Sequence, residues 1–81
     1  MTDNYKLISE DKDGNGVYID KGGNTVYMNK NMEFHNINGP AIKFVDGSEM
    51  WYVNNKLHGL DGPAIKLSNG TKSWYVRGDC L

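Results

Sequence analysis

The stretch "HNINGPAIKFVDGSEMWYVNNKL", His35 to Leu57, is followed without a gap by "HGLDGPAIKLSNGTKSWYVRGDC", His58 to Cys80. The period is 23 residues, and His, Gly-Pro-Ala-Ile-Lys, a turn glycine and Trp-Tyr-Val recur in step. A repeat of this length marks a supersecondary unit that buries its apolar face only by stacking on its neighbours. Within one unit, Pro40 to Val45 is rich in strand formers, Asp46-Gly47 is a strong hairpin signal, and Ser48 to Val53 supplies the returning strand, closed by Asn54-Asn55. The next unit turns at Asn69-Gly70. No segment carries a helical apolar period, and turn residues interrupt the chain every 8 to 12 positions. The expected fold is all-β: an antiparallel meander of stacked β-hairpin repeats, with about six or seven strands and no significant helix.

A weaker copy, "GVYIDKGGNTVYMNKNMEFH", Gly16 to His35, precedes these two. Aligning Gly16 with Gly39 and Tyr27-Met28-Asn29 with Tyr52-Val53-Asn54 makes it two residues shorter before the tyrosine and two longer after it. The organisation read from this is a single domain, 1–81: a leading strand and turn (1–15), a degenerate repeat (16–34) and two full repeats (35–57 and 58–81).

Taking Asp46-Gly47 as a two-residue turn places Val45 opposite Ser48, Phe44 opposite Glu49, Ile42 opposite Trp51 and Pro40 opposite Val53. Side chains alternate along a strand. Ile42, Phe44, Trp51 and Val53 then share an apolar face that Ile65, Leu67, Trp74 and Val76 repeat. The other face carries Ala41, Lys43, Met50 and Tyr52, then Ala64, Lys66, Ser73 and Tyr75. The first is the expected core and the second an amphipathic surface. A single sheet with no helix to cover it must coil on itself or meet another chain. With the last strand, Thr71 to Arg77, left as an open edge, the expectation is a homo-oligomer, a dimer or higher.

"WYVNNKLHGLDGPAIK", Trp51 to Lys66, resembles the MORN repeat. It is closer still to the Trp-Tyr-x-Asn-Gly-x-x-His-Arg-x-Asp-Gly-Pro-Ala repeats of small proteins from tailed bacteriophages and some bacteria. The likeness spans Gly16 to Leu81. It departs at Gly59, where such units carry arginine, at Asn36 after His35, and at Asn38 before Gly39. The resemblance implies a β-hairpin stack used for binding and implies no chemistry.

Size, charge and composition narrow the function. At 81 residues the chain buries about 60–65% of its unfolded surface, so its core is small or shared. Nine basic residues against ten acidic ones give no electrostatic case for nucleic acid. The polar N-terminus has no apolar signal region, and no run approaches the roughly 18 apolar residues of a membrane span, so no membrane association is expected. One cysteine, Cys80, fits a reducing cytoplasm, that of the bacterial host if the chain is phage-encoded. Asn69-Gly70-Thr71 reads as a turn rather than a glycosylation site.

"DKDGNG", Asp11 to Gly16, imitates the start of an EF-hand calcium loop. Position twelve of that loop would be Gly22 where a bidentate glutamate is needed, and strands, not helices, flank it. It reads as a tight polar turn, with a weak non-EF calcium site as the alternative. His35 and His58 sit one repeat apart, about 10 Å at ~4.8 Å per strand, and so do not converge on a zinc ion. They read as loop imidazoles bonded to nearby backbone or carboxylate. Asp61 beside His58 suggests part of a catalytic pair, but Ser48, Ser68 and Ser73 occupy ordinary turn and strand places, and Cys80 matches Leu57. No enzyme, cofactor or metal site is expected. The expectation is a non-enzymatic binding protein: a small phage-encoded inhibitor or host-takeover factor that docks on a bacterial host protein, for example in a defence system. Its candidate surface is Tyr52, Tyr75, Lys43 and Lys66, flanked by His58 and His35. For the tyrosines a packing role against Ala41 and Ala64 stands beside the binding role. Two other functions remain open: an oligomeric sponge for a nucleotide-like small ligand, and a MORN-like lipid-surface binder, which the near-zero charge disfavours.

Overall fold

Each reversal of the chain is made by one of two turns, and the difference between them sets the sheet. The first is a three-residue loop. Phe44 N–H donates to Ser48 O (2.8 Å) and Gly47 N–H to Phe44 O (3.0 Å), with Gly47 at φ 94°. The same pair of bonds closes the loops from Asp11 to Asn15, Asp20 to Asn24, Asn29 to Glu33 and Leu67 to Thr71, with Gly14, Gly23, Met32 and Gly70 as the left-handed residue. This is a type I turn ended by a residue with positive φ. The second is a two-residue turn with positive φ at both positions, Asn54-Asn55 (49° and 71°) and Arg77-Gly78 (53° and 88°), which is the type I′ hairpin.

The computed structural model describes residues 5–59 and 62–80. They form an all-β chain of eleven strands with no helix: β1 (Tyr5–Glu10), β2 (Gly16–Asp20), β3 (Thr25–Met28), β4 (Ile42–Lys43), β5 (Glu49–Met50), β6 (Tyr52–Val53), β7 (Lys56–Leu57), β8 (Ile65–Lys66), β9 (Lys72–Ser73), β10 (Tyr75–Val76) and β11 (Asp79–Cys80). The main sheet has seven antiparallel strands in the order β1-β2-β3-β4-β5-β8-β9, and β6-β7 and β10-β11 are separate two-stranded ribbons. The expected hairpin meander is this main sheet; the ribbons lie beyond it.

The register corrects the expected faces. Asp46 accepts the Ser48 N–H on its carboxylate (2.8 Å), and only Gly47 of the Asp46-Gly47 pair is left-handed. The loop therefore needs Val45 as a third residue, and Ile42 pairs with Met50, not with Trp51. Ile65 likewise pairs with Ser73. A slip of one residue turns every side chain of the returning strand to the other face. One face thus carries, in register, Leu7, Tyr18, Val26, Ile42, Met50, Ile65 and Ser73. The other carries Lys6, Ile19, Thr25, Lys43, Glu49, Lys66 and Lys72.

The core lies on the first face. Val26, Met28 and Ile42 are buried, with Tyr5, Tyr18, Phe34, Phe44, Met50 and Tyr52 packed around them. The sheet coils over itself here: Phe34 bridges Met28 and its ring lies 5.3 Å from that of Tyr52. At the N-terminal end Tyr5 meets Tyr18 edge to face at 6.3 Å. Trp51 and Trp74, expected in the core with Val53 and Val76, are on the opposite side, and Trp74 is 48% exposed. Tyr52, expected on the surface, belongs to the core.

The first repeat is also realigned. Tyr27 N–H donates to Ala41 O as Trp51 N–H donates to Ala64 O, both at 2.7 Å, so Tyr27 stands in the place of Trp51 rather than Tyr52. Met28 accordingly bridges Phe34 as Tyr52 pairs with Leu57. The first copy has one extra residue, in the three-residue loop Lys30-Asn31-Met32, where the later copies use the two-residue turn.

Asp11 in "DKDGNG" is consumed by its own loop. Its carboxylate accepts the N–H of Asp13 (2.9 Å), the N–H of Asn15 (3.0 Å) and the Asn15 side-chain amide (3.2 Å). Asp20 makes the same three bonds nine residues later, to Gly22, Asn24 and the Asn24 side chain, at 2.9, 2.9 and 3.1 Å. Backbone bonding from Asn15, then its side chain, holds the Asp11 carboxyl below its ordinary range; the Asn24 side chain, then its backbone, does so for Asp20, and the Ser48 backbone for Asp46. Because the folded values are the lower ones, these carboxylates contribute stability that is complete above the unfolded value of about 3.9 and is lost as pH falls through the folded values. The melting temperature is therefore expected to be level on their account from about pH 5 to 7 and to drop below about pH 4. Millimolar calcium and a chelator are expected to leave the neutral-pH melt unchanged. A melting temperature that rises on acidification, or with calcium, would contradict these loop roles.

Candidate functional site

The sheet face opposite the core is built from a row of large and small side chains. The bonds from Tyr27 to Ala41 and from Trp51 to Ala64 extend the strand registers by one residue. They align Val17, Tyr27, Ala41, Trp51, Ala64 and Trp74 across successive strands. Ala41 and Ala64 are fully buried although they lie on this outer side. Each stands between two aromatics in neighbouring strands, and cross-strand neighbours on one face are close enough to cover a methyl group. Beside Trp51, Lys66 holds its Nζ 5.6 Å from the ring centroid, a cation–π geometry.

Two grooves open on this face. One, of about 320 Å³, has Trp51 and Lys66 at its base and Ile37-Asn38-Gly39 and Gly62-Pro63 as its walls. Its neighbour, of about 390 Å³, is lined by Val17, Tyr27 and His35 with Asp11 and Asp13 at its rim, and Ile37-Asn38 line both grooves as the ridge between them. Ile37 on that ridge is 61% exposed. Lys6, Lys43 and Lys72 are exposed along the adjoining row, with Glu49 as its one acid. An aromatic base, an exposed apolar ridge and a lysine fringe make a surface able to hold a partner by packing and by attraction to negative charge.

The six residues expected to form one binding surface are split between two faces. Lys43 and Lys66 lie on the outer face, with Trp51. Tyr52 and Tyr75 lie on the core side, in the ribbons; burial, and then the nearby Tyr75, pushes the Tyr52 hydroxyl above its ordinary value. Tyr52 packs on Phe34 and the core cluster rather than on Ala41. His35 and His58 hold ribbon turns: Nδ1 of His35 accepts the Asn54 N–H (3.1 Å) and Nδ1 of His58 accepts the Arg77 N–H (3.0 Å). Asp61, weighed above as a partner of His58, lies outside the described residues. Among the described residues no group of three or more His, Cys, Asp or Glu is placed to hold a metal.

Trp51, Trp74, Tyr27 and Ile37 were missed as surface residues. For the two tryptophans the signal was present in the spacing: Asp11-x-x-Gly14-Asn15 and Asp20-x-x-Gly23-Asn24 put the glycine third in each loop, and the same count applied to Gly47 and Gly70 restores the register. The loops are also tied to one another, Val45 N–H to Asn24 Oδ1 (3.0 Å) and Ser68 N–H to Ser48 Oγ (2.9 Å), so a loop side chain in one repeat supports the loop of the next.

Fold and site together define an all-β protein of repeated hairpins with an aromatic, lysine-fringed outer face. Neither a protein-family model, nor a curated protein, nor a solved structure matches the chain.

Proposed function

We propose that this is a non-enzymatic binding protein that captures an acidic protein partner on its outer face, centred on Trp51 and Trp74. The observation that carries the reading is the exposure of Trp74 (48%) in the same outer row as Trp51, over which Lys66 stands. Tryptophan is enriched at interaction hot spots, and a folded chain gains little from leaving so large an aromatic in water. The lysines of the same face select a partner with negative charge. The likeness of the repeats to those of small phage proteins supports a bacterial host protein as the target and inhibition as the outcome. The open edges of the sheet at β1 and β9 support self-association as well.

The test is affinity capture from a bacterial lysate, read by mass spectrometry, with the parent chain and a Trp74→Ala/Lys66→Glu variant. Neither residue is in the core, so circular dichroism of the variant is expected to match the parent. Capture of the partner is expected to fall by at least about tenfold, the size of one lost hot-spot contact. A folded variant that captures the same protein as well as the parent would move the site off this face.

A further inference from the structure

The ribbons carry a second, separate cleft. Val53, Asn54, Lys56, His58 and Arg77 line a hollow of about 320 Å³, a size at the lower end for small-ligand sites. Its chemistry is clearest against the equivalent place one repeat earlier. Stepping back 23 residues, Lys56 becomes Glu33, His58 becomes His35 and Arg77 becomes Asn54, while Asn29 leads the preceding turn as Val53 leads this one. The backbone latch is the same in both, a histidine Nδ1 accepting the first N–H of the turn, at 3.1 and 3.0 Å. The earlier place satisfies itself: the Asn29 side-chain amide donates to Glu33 Oε1 (2.9 Å) and to Asn54 Oδ1 (3.1 Å). The later place cannot. Val53 has no polar side-chain group, Lys56 and Arg77 are donors only, and the Oδ1 of Asn54, which also lines the cleft, is taken up by Asn29. Because His58 uses Nδ1 as an acceptor, the neutral ring carries its proton on Nε2, which adds a third donor. Both cationic side chains are exposed, and no ion pair holds either of them among the described residues.

We infer that this cleft is an anion site whose ligand is a phosphate monoester. Three residues that line it carry donors of different reach: the Arg77 fork, the Lys56 ammonium and the His58 Nε2–H. A phosphate monoester supplies three acceptor oxygens and a charge of about −1.5 to −2 at pH 7. Arginine meets such oxygens with two parallel bonds and lysine with a point charge. The Val53 wall leaves room for the esterified group to lie against an apolar surface. The site is independent of the outer face proposed above.

The earlier repeat supplies the control. Lys56→Glu/Arg77→Asn installs the residues that occupy the equivalent places around His35; Asn54 already holds the left-handed turn place of Arg77, and Lys56 is exposed, so fold and melting temperature are expected to hold. Ribose 5-phosphate is expected to shift the amide resonances of Lys56, His58, Arg77 and Gly78 saturably, and ribose is expected to leave them unmoved. In the double variant the affinity is expected to fall by about tenfold or more, the loss of at least one charge-assisted contact. Co-sedimentation with vesicles containing phosphatidate, but not with pure phosphatidylcholine, would place the phosphate on a lipid headgroup if the same variant abolishes it. Shifts with ribose 5-phosphate without co-sedimentation place it on a soluble ligand. The site is overturned if ribose 5-phosphate gives no saturable shift and phosphatidate vesicles do not bind, or if a folded double variant binds as tightly as the parent.

Discussion

Tyr52→Ala is expected to destabilise the protein by about 2–3 kcal/mol, and Trp74→Ala by less, about 1–2 kcal/mol. Ring size alone predicts the reverse. Tyr52 stands on the core face, its ring 5.3 Å from Phe34 and joined through it to Met28, Val26 and Ile42. Removing it leaves a gap in the cluster beside Phe34. The cost falls below the usual 3–5 kcal/mol for a large aromatic because Tyr52 is only half-buried. Trp74 stands in the last aromatic place of the outer row and is 48% exposed, so truncation uncovers Ala64 but opens no gap in the core cluster. A chain of this length has about 4–12 kcal/mol of stability in all, so the Tyr52 loss is a large share of it. Urea unfolding followed by circular dichroism measures both. A Trp74 loss that equals or exceeds the Tyr52 loss would reinstate the opposite assignment of faces.

Gly59→Ala is expected to cost about 2–3 kcal/mol, the range for forcing an added carbon into a filled site, while Gly62→Ala, three residues on, is expected to stay within about 0.5 kcal/mol. A methyl at Gly59 would overlap the carbonyl oxygen of Gly62 and come to 3.0 Å from both Ala64 N and Pro63 C. These are backbone atoms, and Ala64 is tied on by its N–H to Ser73 O at 2.8 Å, so the strand it leads would have to move. At Gly62 an added carbon meets nothing within 4 Å. Asn36 holds the place equivalent to Gly59 and closes its loop by other means, its side chain donating to Pro40 O (3.1 Å) and accepting from Asn38 N–H (3.0 Å). The same connection is thus made once by a side chain and once by close backbone approach. The same overlap leaves no room for any longer side chain at this position. Equal melting temperatures for the two alanine variants would mean that the loop yields freely.

The sequence by itself determined that the chain is a series of antiparallel hairpins, and where each reverses. Those features are local: glycine at the left-handed position, Asp or Asn to bond the loop backbone, and strand formers between. It also determined the repeat, because identical segments in identical surroundings fold alike. Only the tertiary structure decided which side of the sheet is inside. A strand alternates with period two, so the pattern Glu49-Met50-Trp51-Tyr52-Val53 fits either side equally well, with Met50 and Tyr52 inward or with Trp51 and Val53 inward. Which residues share a face with Ile42 rests on one residue in the loop: counting Val45 into the turn pairs Ile42 with Met50, and leaving it out pairs Ile42 with Trp51. The larger apolar ring is a poor guide to that choice, because it is the coiling of the sheet that settles it. Phe34, paired with Met28 across its own hairpin, lays its ring 5.3 Å from that of Tyr52 in the next repeat, a contact that no single hairpin contains.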